Sequence, residues 1–262
     1  MNNILDKIIK NKKIEVDKKK EIFSLNSIKS QPLFKRNTIS LKSKIKSSNT
    51  GIIAEFKRRS PSKKNINSNL SAFNVSKSYE ENGACGMSIL TDNKYFGGSL
   101  EDLIQARNNS NLPLLRKEFI IDKYQIYESK AFGADIILLI ASILTKSEII
   151  EFSLIAKSLD LEILIEVHNE NEIHKSLNSN IDFVGINNRD LKTFNVSLDR
   201  SKILSSKIPN NYIKISESGI KSIEDIKELK SYGFKGFLIG ENFMKSKSPG
   251  IELKNFIKNI ET

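Results

Sequence analysis

Eight short apolar runs recur from Ile52 onward: IIAEF, MSIL, PLLRK, DIILLI, EILIEV, FVGIN, YIKISE and GFLIG. Between them lie stretches that carry helix-start signals, a capping residue followed three positions later by an acid or amide. These are Ser99 with Asp102, Asp122 with Gln125, Thr145 with Glu148, Asn169 with Glu172, and Ser222 with Asp225. Gly83, Gly133 and Gly233 each follow a helical pattern and read as stops. Eight strands alternating strictly with helices over about 210 residues predict the α/β class and, within it, a (β/α)8 TIM barrel. An open doubly wound sheet more often holds about five to seven strands, and no glycine-rich dinucleotide fingerprint follows the first run.

Residues 1–48 stand outside the repeat and predict an N-terminal helical extension packed on the barrel, with residues 49–262 forming the barrel as one structural domain. In LDKIIKNKKIEVDKKKEIFSL, Leu5, Ile9, Val16 and Phe23 fall at helical spacing among charges, which predicts an apolar stripe and a broad basic face near the barrel mouth. The first few residues also read as a basic tail. SSNTG, Ser47 to Gly51, is the turn into the first strand.

A formal charge of +11 on 262 residues would by itself suggest nucleic acid. The lysines, however, are spread along the whole chain, so they read as a solvated surface. The 39% of hydrophobic residues is enough for an ordinary core. Cys85 is the single cysteine and cannot form an internal disulfide; its apolar context, GACGMSIL, predicts a small buried residue. No signal peptide is recognisable and no run approaches the ~20 apolar residues of a membrane span. The expectation is a cytoplasmic protein with no nucleic-acid and no membrane partner.

In such a barrel the functional residues sit where strands end, and residues two apart on a strand share a side. Ile53, Glu55 and Lys57 share one face of the first strand, with Ala54 and Phe56 on the other. By the same parity Lys117 goes with Phe119, Glu166 with His168, and Asn187 with Arg189, while Glu217 closes the seventh strand. An unpaired ion inside a barrel costs several kcal/mol, so three acids and two lysines arriving from four strands should form a mutually compensating network. His168, just before the Asn169 cap, reads as a rim residue. No metal is expected: His174 lies inside a helix and no Cys/His/Asp cluster has ligand spacing. Ser218-Gly219 and Gly240-Glu241, after the seventh and eighth strands, can offer backbone N–H groups to a phosphate, and Ser60 in the first loop a hydroxyl. On these residues a lysine-dependent aldolase using Lys117 for a Schiff base, a related phosphate-binding barrel, or a basic RNA-binding protein stay open.

The motifs EFKRRSPSK, TDNKYFGGS, LLRKEFIID, LIEVHNENE, VGINNRDLKTF, ISESGI and FLIGENFM, in that order, resemble the strand-end motifs of the indole-3-glycerol phosphate synthase family of tryptophan biosynthesis, over about residues 50–245. The N-terminal extension is similar as well. The resemblance implies closure of the indole ring of 1-(2-carboxyphenylamino)-1-deoxyribulose 5-phosphate with loss of carbon dioxide and water, without cofactor or metal. It implies Lys117 as general acid for ring closure and Glu166, with Glu55 and Lys57, in the later proton transfers. Asn187 and Glu217 would hold substrate hydroxyls and orient the lysines. By the same resemblance Arg189 meets the anthranilate carboxylate, Phe96 and Phe119 wall its ring, and Ser60, Ser218, Gly219, Gly240 and Glu241 bind the phosphate. Three positions depart from the family pattern: Glu118 for Asp, Lys64 for Gly and Ser197 for Asp. These are expected to touch only loop mobility and rim contacts. The first loop, RRSPSKKNINSN, is expected to be a mobile lid, and Arg58, Arg59, Lys63 and Lys64 to supply positive potential toward an anionic sugar phosphate. The expected assembly is a monomer, with association with other enzymes of the pathway left open.

Overall fold

The five capping residues read from the sequence all start helices in the computed structural model, which describes residues 4–190 and 193–258. The Ser99 and Asn169 side chains accept the N–H of Asp102 and Glu172, and Asp122, Thr145 and Ser222 form full capping boxes with Gln125, Glu148 and Asp225. Each cap satisfies backbone donors that a helix start would otherwise leave bare. Gly83, Gly133 and Gly233 stand in left-handed backbone before the next strand.

The strands are β1 (Ile52–Phe56), β2 (Gly86–Leu90), β3 (Leu114–Lys117), β4 (Ile136–Ile140), β5 (Glu162–Val167), β6 (Phe183–Asn187), β7 (Ile213–Glu217) and β8 (Phe234–Ile239). They close in chain order into a parallel barrel, with β1 pairing β8. The last strand begins at Phe234, two residues before the GFLIG run. Phe234 is buried and Lys235 points out, and a register shift at Lys214/Ile215 of β7 lets the earlier start pair.

Period-2 alternation sorts the core as the parity reading requires. Ile53, Leu115, Leu164, Phe183, Ile215 and Leu238 form the barrel interior, while Ala54, Phe56, Met87, Ile163, Ile165 and Phe237 pack outward against the helices. Register then levels the strand ends: Leu90 pairs Lys117, Glu166 pairs both Ile140 and Gly185, and Asn187 pairs Glu217. Glu166, Asn187, Lys117 and Glu217 therefore arrive at the C-terminal rim of the barrel.

The extension serves both ends of the barrel. Its long helix, α1 (Ile4–Ile22), lies at the C-terminal mouth, where Leu5 and Ile8 line a cavity. The helix Leu41–Ser47 buries Leu41 and Ile45 with the interior residues at the opposite end, Leu41 against Gly86 at the start of β2. The face α1 buries is Ile8, Lys12 and Val16, an i, i+4 column. Phe23, expected on that stripe, lies past the helix end and is half exposed, and the basic face is interrupted by the fully buried Lys12. Cys85 is buried beside β2 as expected. The possible N-terminal tail, Met1–Asn3, and Leu191 and Lys192 of the VGINNRDLKTF motif fall outside the described residues.

Candidate active site

The cavity at the C-terminal mouth has a volume of about 340 Å3, within the range of ligand sites. All fourteen residues singled out as catalytic or substrate-binding line it: Glu55, Lys57, Ser60, Phe96, Lys117, Phe119, Glu166, Asn187, Arg189, Glu217, Ser218, Gly219, Gly240 and Glu241.

At its floor one ammonium is clasped by two carboxylates. Lys117 Nζ lies 3.0 Å from Glu166 Oε2 and forms a second ion pair with Glu217 Oε2. Glu166 Oε1 also accepts from Asn187 Nδ2 at 3.3 Å, and the end of β1 supplies a further pair, Lys57 Nζ to Glu55 Oε1 at 2.6 Å. Two glycines make room. A Cβ on Gly185 would lie 2.3 Å from Glu217 Oε1, and one on Gly240 would lie 2.5 Å from Glu55 Oε1.

The electrostatics follow from this crowding. Burial opposes the Lys117 charge, but the fields of Glu217, Glu166 and Glu55 outweigh it and lift its pKa above the ordinary lysine value. Burial, reinforced by Glu166 and Glu55, outweighs Lys117 and raises Glu217 to about 7. For Glu166 the balance reverses: Lys117, His168 and Asn187 overcome burial and hold its pKa below the usual carboxylate value. Two adjacent carboxyls driven in opposite directions give one proton acceptor and one group able to hold a proton near neutrality. Glu217 Oε1 is buried with no hydrogen-bond partner among the described residues.

The aromatic wall is a pair, Phe96 and Phe119, with ring centroids 6.0 Å apart and planes at 40°. Opposite it, Arg189 donates Nη1–H to Phe194 O at 3.2 Å, and its loop folds back through an Arg189–Val196 bridge. At the other end of the cavity, Ser218 (φ 66°) and Gly219 (φ 84°) turn the backbone after β7 through two successive left-handed residues. A non-glycine residue rarely adopts that conformation, so the Ser218 turn carries strain of the kind found at ligand sites. Gly240 precedes the short helix Glu241–Met244. The Glu241 carboxylate pairs with Lys63 and, at 2.8 Å, with Lys245. Lys245 and Lys63 hold its pKa down to about 2 although burial opposes them.

The first loop is anchored at several points. Arg58 grips Asp102 through two hydrogen bonds of 2.6 and 2.7 Å, Arg59 donates to the carbonyls of Asn93 and Lys94, and Ser60 and Lys63 close a turn. Of the four basic residues expected to supply positive potential, Arg58 is thus paired with Asp102 and Lys63 with Glu241.

Two sets of residues escaped the sequence reading. The first is a buried network behind the aromatic wall. Lys12 Nζ of α1 lies 3.1 Å from both Asp92 Oδ2 and Glu118 Oε1 and 2.9 Å from Glu15 Oε2. Glu118 also accepts from Thr91 Oγ1 and the Phe119 N–H, and Asp92 caps the helix Asn93–Phe96 that carries Phe96. Arg116, equally buried, joins Thr91 to Glu128. Glu118, expected to matter only at the rim, is therefore inside, because its charge is met by Lys12. The available signal was a lysine four residues from both Ile8 and Val16, on an apolar helical face. The second is His168, whose side chain is only 11% exposed and lies between Glu166 and Glu172 instead of on the rim.

The sequence model of the family described as indole-3-glycerol phosphate synthase matches residues 5–258. The indole-3-glycerol phosphate synthase of Bacteroides thetaiotaomicron is 45% identical over 261 residues, covering all of both chains. That of Alkaliphilus metalliredigens is 42% identical over 252 residues, covering 96% of this chain and 97% of its own. Among solved structures, thiamine phosphate pyrophosphorylase from Pyrococcus furiosus superposes with a TM-score of 0.61 at 14% identity, covering 85% of this chain and 98% of that one, a likeness of fold alone. Together with the closed barrel and its cavity, the full-length match establishes that the chain belongs to the indole-3-glycerol phosphate synthase family.

Proposed function

We propose that, in the carboxy-lyase reaction this chain carries out for tryptophan biosynthesis, Lys117 is the acid that drives closure of the indole ring. The substrate, 1-(2-carboxyphenylamino)-1-deoxyribulose 5-phosphate, has a ketone that the aromatic ring carbon must attack. Charge develops on the ketone oxygen during the attack, and an ammonium fixed beside it stabilises that oxygen and gives it a proton. The observation that carries this reading is the single ammonium held between Glu166 and Glu217 at the cavity floor. Its raised pKa keeps it in the protonated form that can donate.

Closure is followed by loss of the carboxylate as carbon dioxide and of the new hydroxyl as water. Loss of carbon dioxide returns its electron pair to the benzene ring and restores its aromaticity; Glu166, kept ionised, is then the base that takes a proton from the former C1 methylene beside the nitrogen, while the Lys57–Glu55 pair assists departure of the hydroxyl as water. Glu217 receives a substrate hydroxyl at Oε1, and Asn187 aligns Glu166. Phe96 and Phe119 flank the anthranilate ring, with Arg189 at its carboxylate. The phosphate is bound by Ser60 and by the backbone of Ser218, Gly219, Gly240 and Glu241. The first loop closes over it as a lid. The enzyme is a cytoplasmic monomer acting on a small sugar phosphate, free to associate with other enzymes of the pathway.

The test is direct. Addition of the substrate to the wild type should produce indole fluorescence, and Lys117→Ala should lose nearly all of it while keeping its circular dichroism. A folded and active Lys117→Ala removes the acid assignment.

A further inference from the structure

His168 follows β5 and is held from behind by the helix Glu170–Ser176. Glu172 Oε2 accepts the His168 backbone N–H at 2.8 Å and lies 3.2 Å from its Nδ1, while Glu172 Oε1 accepts from Asn169 Nδ2. A ring nitrogen facing a carboxylate at this distance carries the proton, so Glu172 selects the tautomer. The other nitrogen, Nε2, is buried, has no hydrogen bond among the described residues, and faces Glu166 Oε1 at 3.4 Å. In a neutral ring this would set a lone pair against a buried carboxylate oxygen, an arrangement without compensation. A second ring proton turns that contact into an ion pair.

We propose that His168 is a positioning residue of the proton-transfer centre: locked by Glu172, it presents Nε2–H to Glu166 Oε1 and keeps that carboxylate ionised and aimed. Oε2 of Glu166 is already taken by Lys117, so His168 and Asn187 fix the other oxygen and with it the direction of the carboxylate. The arrangement parallels a general triad logic in which one carboxylate orients an imidazole that serves a second group. It rests on the role given above to Glu166.

The charged groups facing the ring come from three elements: Glu166 of β5, Glu172 of the following helix, and Arg200 of the helix Asp199–Ser205. Arg200 opposes the imidazolium, but it is itself engaged by Asn187 O at 3.1 Å and Asp190 at 3.3 Å. Burial also opposes the charge. The hydrogen bond to Glu172 and the fields of Glu166 and Glu172 outweigh both, and the pKa of His168 stands above 6.5. The imidazolium is therefore present below that raised pKa and is lost as pH rises through it, taking with it the support of Glu166.

The chain has only two histidines, which makes the test clean. Imidazole 15N NMR of the wild type, with the exposed His174 assigned through His174→Gln, should show His168 protonated at both nitrogens at pH 6.5 and titrating above that value. Glu172→Gln should move the titration toward acid. In turnover, His168→Leu should lower kcat about tenfold, the size of effect typical of an outer-layer partner, and remove one ionisation from the kcat profile. His168→Gln, whose amide can still donate to Glu166, should recover most of the rate without that ionisation. A His168 that is neutral at pH 6.5, or a His168→Leu enzyme with the wild-type kcat profile, overturns the proposal. The NMR arm needs no turnover, so it decides the question even where indole formation fails.

Discussion

The molecule buries two charge clusters at the same end of one barrel, separated by little more than the Phe119 wall, and they are built to opposite rules. Around Lys12 every charge is answered. The ammonium has three carboxylates, Glu118 is further satisfied by Thr91 and the Phe119 N–H, and Arg116 reaches Thr91, Gln125 O, Ser129 and Glu128. Around Lys117 the balance is left incomplete. Three acids press on one another, one of them is raised to about 7, and its second oxygen has no partner among the described residues. A buried network that is fully satisfied rigidifies its surroundings; one that is half satisfied costs stability and persists where chemistry needs it. The first cluster holds the aromatic wall and ties α1 to the mouth. The second faces the cavity proposed to take the substrate.

Removing the central cation should therefore have different consequences in the two places. Lys12→Met takes the ammonium from two buried carboxylates, leaving Asp92 with the Tyr95 N–H and Glu118 with Arg116 at 3.6 Å, and should cost about 3 kcal/mol in unfolding free energy, measured by urea denaturation. A loss below ~1 kcal/mol would mean that this cluster behaves like a surface salt bridge. In the other cluster, Glu166→Gln keeps the shape but removes the proposed base. It should lower kcat about a thousandfold while the midpoint of denaturation stays near that of the wild type, since Lys117 keeps Glu217 as its partner and Glu217 loses a like-charged neighbour. Unchanged turnover there would erase the contrast.

Two smaller changes sharpen it. Gly240→Ala introduces a Cβ that would lie 2.5 Å from Glu55 Oε1 and 2.9 Å from its Cβ, so Glu55 must leave its pairing with Lys57. Displacement of a reacting group by a fraction of an ångström should lower kcat/KM by about tenfold, read by steady-state fluorescence. The smallest effect concerns pH. Glu217 is raised from 4.5 to about 7 in the folded chain, mainly by burial. Between those values the native state binds the proton more tightly than the unfolded chain does, so this group's contribution to stability falls as pH rises through that window. Glu217→Gln lacks the dependence. Its stability relative to the wild type should improve by on the order of 1 kcal/mol between pH 6 and pH 8, and a pH-independent difference would show that the crowding is not felt.

How far these clusters could be read in advance depends on what locates each residue. Glu55, Lys57, Lys117, Glu166, Asn187 and Glu217 announce themselves because strand parity and the C-terminal rule place them without knowledge of any neighbour. Caps such as Thr145 and Ser222 are equally local. Lys12 is not: a lysine on a lysine-rich helix looks solvated until Asp92 and Glu118, 80 and 106 residues further on, are known to lie against it. His168 fails for a related reason. Parity correctly put it on the face of Glu166, but only the return of the following helix brings Glu172 close enough to pin the ring. The start of β8 was misjudged because the shift at Lys214/Ile215 is a property of paired strands and leaves no mark on either one.

The central claim is that Lys117 acts by donating a proton and not merely by placing a positive charge between Glu166 and Glu217. Lys117→Arg keeps the charge and its carboxylate partners, but a guanidinium does not give up its proton near neutrality. Single-turnover indole fluorescence on the folded Lys117→Arg protein should show ring closure lost, as in Lys117→Ala. Product formed at the wild-type rate would contradict the account.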